Sequence, residues 1–367
     1  MEHRRDITLT QTIAILVSTI IGVGVLHIPL IAVRGAETAA PFVTLLGSLL
    51  TCLSLLVITK LGKWFPDRSI IHYSEIILGE WMGRVYSVLI ICFFALLTGF
   101  ASREFGMIVN SAVLIETPLE VVVLVMLILA AIFTRYDFNT FAYIHTFYIP
   151  IILAPALIIV ILSLRNANPL YLQPVFHDNW SGTMMSMFTI AALFQSGFIL
   201  TLIIPAMHKP EKAFKAVFFG IGITGGLYVL IVSAALAVFG PKELTHLSWP
   251  TLELARSTSL GQTFQRLDAI FLSVWVIAVF TTIFSTYMFT VQALTQLFRL
   301  KDQKMFTFFL LPFLFMIAMF PQNVFEMYEV VEKVGRVGLI LTLCVPLLLL
   351  IIAKIRKLAD GGNHHVK

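Results

Sequence analysis

Apolar residues in this chain gather into ten runs, each near the length a helix needs to cross a bilayer, with short polar connections between them. The runs cover 7–33, 38–60, 84–110, 119–134, 142–164, 183–206, 213–239, 265–298, 304–321 and 327–353. A membrane helix needs about 20 mostly apolar residues, so this pattern predicts ten spans, of which the fourth and ninth are short. Composition agrees: 59% of the 367 residues are hydrophobic and 12% charged, roughly half the charge share of an ordinary soluble domain. The expected class is an all-α integral membrane protein in contact with lipid. A disulfide scaffold, a large soluble catalytic domain and a nucleic-acid partner reading the net charge of +5 are excluded.

The first run is too long for a signal-peptide core and reads as a retained span, and the tail after Ile352 is short and basic. Cys52, Cys92 and Cys344 lie inside apolar runs without metal-ligand spacing and act as small apolar residues. Cytoplasmic loops accumulate Lys and Arg. With the N-terminus inside, 17 of the 25 Lys and Arg fall in the interior, seven in the exterior, and Arg103 within the third span. Both termini are therefore expected in the cytoplasm.

Two spans carry signs of interruption. The first reads Ile20-Ile21-Gly22-Val23-Gly24-Val25-Leu26-His27-Ile28-Pro29, and the sixth reads Phe194-Gln195-Ser196-Gly197-Phe198 followed by Pro205. Glycine costs about 1 kcal/mol in a helix interior and proline about 3, so both clusters predict unwinding. They lie in spans of opposite direction, as five spans per half in inverted order require. Interrupted spans at corresponding places point to a binding site, because a broken helix leaves N–H groups at one end and C=O groups at the other that lipid cannot satisfy. A zwitterionic amino acid suits both ends without a charged side chain. The alternative is that the glycines serve close helix packing, the reading given to Gly220, Gly222, Gly225 and Gly226 in the seventh span, which include a Gly222-x-x-x-Gly226 spacing and have no polar company.

With the motif from Gly22 to Pro29, ten spans and the basic loop Lys209-Pro210-Glu211-Lys212, the chain resembles the spore-germination B subunits. These are the GerAB-type membrane subunits of germinant receptors, within the amino acid–polyamine–organocation superfamily. The resemblance covers essentially the whole chain. It implies one transmembrane domain over residues 1–367 with a LeuT-like five-plus-five inverted repeat, the halves at about 7–164 and 183–353 and helices 1 and 6 broken. It also implies sensing of a small amino acid, A and C partner subunits, and the spore inner membrane.

Residue by residue, Gly22, Val23, Gly24 and Val25 match the superfamily's first-helix break, and Phe194, Gln195, Ser196, Gly197 and Phe198 its sixth-helix break. The third and eighth helices flank the cavity in that fold, offering here Thr98, Phe100 and Glu104, then Thr281, Thr282 and Ser285. Thr282 and Ser285 share a helix face and supply oxygens either to a ligand or ion or to the preceding turn of their own helix. The apolar neighbours Val23, Val25, Phe194 and Phe198 favour a ligand with a small apolar side chain. Some proton-coupled members carry a lysine in the middle of the fifth helix; here Ile144 to Leu164 contains no Lys, only His145 at its inner end and Pro150 and Pro155 as kinks.

Arg103 and Glu104 are adjacent charges deep in a span, readable as functional or as snorkelling outward. Successive residues point about 100° apart on a helix, so the two do not face each other. A short surface helix is expected at Trp249-Pro250-Thr251, capping the vestibule or meeting a partner. Asn179-Trp180-Ser181 matches a glycosylation acceptor by chance. No enzyme motif, metal set or cofactor site is present in the sequence. A ligand-sensing receptor subunit and an amino-acid permease both remain open, because binding and alternating access need the same breaks; the missing lysine favours sensing.

Overall fold

The computed structural model describes residues 6–174, 180–258 and 267–358. Helix forms within each of the ten apolar runs. In chain order the helices are α1 (Leu9–Ile21), α2 (Ile28–Ala36), α3 (Ala40–Trp64), α4 (Ile70–Leu78), α5 (Glu80–Ala112), α6 (Leu119–Phe133) and α7 (Phe138–Ser163). The second half contains α8 (Trp180–Leu193), α9 (Leu200–Ile203), α10 (Ala213–Leu244), α11 (Pro250–Arg256), α12 (Leu267–Leu297), α13 (Lys304–Met319), α14 (Val324–Leu339) and α15 (Val345–Ile355). Among the described residues, six helical stretches are long and apolar enough to cross a membrane, the bent pair around residue 194 makes a seventh, and α1, α6 and α13 are shorter apolar helices. No β-strand occurs among the described residues. The glycosylation-like Asn179 lies outside them.

Local chemistry sets the helix ends. Thr8 caps α1 in a reciprocal box, accepting from the Gln11 N–H at 3.3 Å while the Gln11 side chain accepts from the Thr8 N–H at 2.9 Å. Glycine cannot propagate the helix cheaply, and α1 stops at Gly22; α2 then starts with Pro29 in its first turn. A proline follows Gly240, whose φ of +74° suits glycine alone, and the regular part of α10 ends there. The expected surface helix is α11. The helix α4, between the second and third runs, was not foreseen; Arg356 caps it, donating to the carbonyls of Ile76 and Ile77 at 3.1 and 2.6 Å.

Leu45, Leu49 and Leu53 of α3 and Phe309, Phe313 and Met316 of α13 are exposed. Rows of large apolar side chains at helical spacing are the surface of a protein solvated by lipid. The expected packing face of α10 holds for two of its four glycines. Gly222 and Gly226 meet nothing within 4 Å, whereas a Cβ at Gly220 would touch Leu16 and one at Gly225 would press on Ser48. Close packing runs along Gly220 and Gly225, and the GxxxG pair looks outward.

Asp137 caps α7, accepting from the Thr140 N–H at 3.0 Å. Hydrogen bonds from Thr140 hold this carboxyl below its ordinary value of 3.8. A depressed carboxyl contributes stability that is present at neutral pH and lost as pH falls through the folded value, below 3.8. Asp137→Ala is expected to cost about 1 kcal/mol. Thermal melts should show a lower midpoint at pH 7, with the gap to wild type closing in strong acid.

Candidate functional site

The first span is interrupted as its glycines require. Between α1 and α2, residues Gly22 to His27 run as turns, with only sparse bonds such as Ile28 N–H to Gly24 O at 3.0 Å. The carbonyls freed at the end of α1 do not stay bare. Thr281 donates to Ser18 O at 3.0 Å, and Thr282 and Ser196 donate to Thr19 O at 2.8 and 3.2 Å. Tyr228 donates to Ile20 O at 2.8 Å. Further along, Thr251 of α11 donates its hydroxyl to Val25 O at 2.7 Å and its N–H to Leu26 O at 3.3 Å. Hydroxyls from α10, α11, α12 and the sixth span thus occupy much of the C=O end of the break. Gly22 is needed for close approach: a Cβ there would overlap the Thr282 side chain and lie 2.9 Å from Ala278 O.

Directly before the break, a buried polar cluster ties three helices together. Ser18 Oγ lies 2.5 Å from His145 Nδ1, Ser285 Oγ 3.2 Å from His145 Nε2, and Thr19 Oγ1 2.6 Å from Ser285 Oγ. His145 is therefore a hydrogen-bonded strut between α7, α1 and α12. Back-bonds to the preceding turn are present as well, from Thr282 to Ala278 O at 3.4 Å and from Ser285 to Thr281 O at 2.8 Å.

The sixth span bends by 47° between residues 182–193 and 195–206, with Gln195–Ile199 wound as a tight 3₁₀ turn. Gln195 donates to Gly335 O of α14 at 2.8 Å, linking this bend to the last span. Beyond α14 the backbone forms a π turn over Ile340–Cys344, and its carbonyls accept from Tyr86 (Leu341 O, 3.0 Å) and Ser54 (Thr342 O, 2.7 Å).

A cavity of about 390 Å³ opens between the two interrupted spans. Of the sequence-predicted residues it brings together Val23, Gly24, Phe100, Glu104, Ser196 and Thr282. The others lie around it. Gly22, Thr281 and Ser285 belong to the α1–α12 contact just described. Val25 is buried in the core, and Thr98 bonds back to Phe94 O at 2.8 Å. Phe194 packs on Tyr228 with ring centres 5.2 Å apart, and Phe198 joins Phe94 and Phe289 in an aromatic floor whose closest pair is centred 3.7 Å apart. Gly197 packs on Ile20 and Leu55. Phe194, Gln195 and Phe198 line a separate small void with Thr51, Ser54 and Thr342.

The polar end of the cavity holds His27 and Tyr328, which are missing from the sequence-based site. His27 Nδ1 lies 2.6 Å from Glu104 Oε1, both side chains buried, and the His27 and Tyr328 rings are centred 5.6 Å apart. The histidine beside a helix break was the available signal; nothing in the sequence ties it to Glu104. Arg103 points away from Glu104, toward Met319 Sδ at 3.5 Å and Gln322 O at 3.4 Å. Arg34, Gly182, Met185, Ser186 and Glu332 complete the lining.

A family model described as spore germination protein matches residues 6–327. Spore germination protein YndE of Bacillus subtilis (strain 168) is 26% identical over 353 residues, covering 96% of this chain and 97% of that protein. Spore germination protein B2 of the same organism is 25% identical over 99% of this chain and 98% of its own length. Spore germination protein GerLB of Bacillus cereus is 26% identical over 94% and 93%. Among solved structures, a Na+-coupled sialic acid symporter in a substrate-bound outward-open state superposes with a TM-score of 0.70 at 11% identity, covering 93% of this chain and 79% of that one. Mhp1, a nucleobase-cation-symport-1 family transporter in a closed conformation with bromovinylhydantoin bound, gives 0.66 at 13% identity, covering 93% and 78%. The architecture is the LeuT-like transporter fold with its first and sixth helices broken.

Proposed function

The chain belongs to the spore germination protein family, and from that premise we propose that it is the B subunit of a nutrient germinant receptor. It binds a small amino acid in the cavity between its broken first and sixth helices, and partner A and C subunits read the resulting change. The observation that carries this reading is the cavity itself. About 390 Å³ of space lies against both breaks, within the size range of small-molecule sites, walled mostly by apolar side chains.

Binding shifts such a chain only if its two states differ in affinity for the ligand. The Gln195 bond to Gly335 O supports a path from the cavity to the last span, since it joins the bend directly to α14. The proposed setting is the spore inner membrane, with both termini in the cytoplasm as the Lys and Arg distribution favours.

The transporter-like fold supports a second reading, an amino-acid permease working by alternating access. Purified full-length chain in liposomes separates the two. A receptor subunit should bind an amino acid saturably, accumulate none in the lumen, and co-purify with two distinct partners from spore membranes. Accumulation by the chain alone would favour the permease. Absence of binding across all twenty amino acids would remove both.

A further inference from the structure

A buried acid and base of the cavity wall are paired, His27 Nδ1 lying 2.6 Å from Glu104 Oε1. Beside them in the same lining, the Tyr328 hydroxyl is buried without a hydrogen-bond partner. The Tyr328 ring stands between His27 and Trp249, with ring centres 5.6 and 6.2 Å away. A buried polar atom without a partner is costly, and a buried carboxylate has more acceptor sites than one contact fills. A molecule in the cavity that donates hydrogen bonds serves both.

The chemistry of that molecule follows from the atoms. The His27 contact fills only one of the acceptor sites of the Glu104 carboxyl group, so Glu104 still has room for a donor from the cavity, and in a wall of low dielectric the strongest donor is a cation. An ammonium has three N–H groups, enough for Glu104 with a hydroxyl or ring nitrogen beside it. The alternative seat for a cation is the row of carbonyls at the first break. Those of Ser18, Thr19 and Ile20 already accept from protein hydroxyls. Leu97, Phe100, Leu193, Val331 and Val334 make the remaining wall apolar.

We infer that Glu104, flanked by His27 and Tyr328, is the seat of a ligand's ammonium group. The cavity thus selects primary amines on an apolar body, and the backbone break shapes the space without holding the charge. This rests on the reading of the cavity as a ligand site.

The test titrates purified full-length chain with six probes: leucine and phenylalanine, their amine counterparts isoamylamine and phenethylamine, and their amine-free counterparts 4-methylpentanoate and 3-phenylpropanoate. Wild type is expected to bind at least one amino acid and its amine, and the matching acid on the order of 30-fold more weakly, the worth of one charged hydrogen bond. Glu104→Gln, which keeps the shape and removes the charge, should weaken amino acid and amine by a similar factor and leave the acid unchanged. Equal binding of amine and acid by wild type overturns the inference and needs no variant. So does a folded Glu104→Gln chain with undiminished amino-acid affinity, and in either case the cavity remains a ligand site. If none of the six binds wild type, the inference falls, and the twenty-amino-acid screen decides the wider reading separately.

Discussion

Gly22→Ala is expected to destabilise the chain by about 3 kcal/mol, at the upper end of the cost of forcing one extra methyl into a packed interior. The new Cβ would overlap Thr282 Oγ1 and sit 2.9 Å from Ala278 O, which is backbone and cannot rotate away. Relief requires α1 and α12 to part, and parting them breaks the bonds from Thr281 and Thr282 to the carbonyls of Ser18 and Thr19. Thermal melts of the detergent-solubilised protein should show a large fall in midpoint, together with loss of amino-acid binding. Combining Gly22→Ala with Thr282→Ala should recover only a small part of the loss, because the Oγ1 overlap is removed while the residue 282 Cβ at 2.6 Å and the Ala278 carbonyl remain. A single variant as stable as wild type would mean that these helices do not touch at this point.

The second large effect lies in a shared acceptor. Thr19 O receives Thr282 at 2.8 Å and Ser196 at 3.2 Å, so either hydroxyl alone keeps the buried carbonyl bonded. Thr282→Val and Ser196→Ala are each expected to cost about 1 kcal/mol. The double variant should cost about 3 kcal/mol, because leaving a buried acceptor without any donor incurs its full desolvation penalty. That excess of about 1 kcal/mol over the sum is the signature of residues acting on one group. Strict additivity in melts of the four proteins would show that the two hydroxyls act independently of each other.

The spans and the first break were legible in the sequence because each is written locally. An apolar run of the required length, a glycine pair and a following proline are chemistry within one segment. The caps on the freed carbonyls were not legible. Thr281 meets Ser18 across 263 residues and Tyr228 meets Ile20 across 208, and helical periodicity carries no record of such pairings. The same limit hid His27 from Glu104. Gly222 and Gly226 have the spacing of a packing face, yet the neighbours of α10 lie on the side of Gly220 and Gly225; spacing alone cannot say which stripe is covered. The π turn at Ile340–Cys344 has one local cue, Pro346 just beyond it, which has no N–H to give the Thr342 carbonyl four residues back; that carbonyl accepts from Ser54 instead. Glu104 was found by being a charge where lipid forbids one.

Ile7, just ahead of α1, pairs with the backbone on the far side of the sixth span. Its N–H donates to Ala206 O at 3.1 Å and its carbonyl accepts from the His208 N–H at 2.9 Å, a parallel bridge outside any strand. At the other ends of the same two spans the chains also touch: a Cβ at Gly35 would overlap Ser186 Oγ and lie 3.3 Å from Gly182 O. The two interrupted spans are therefore clamped at both tips, and the room between them comes from their kinks, as in a bowed frame.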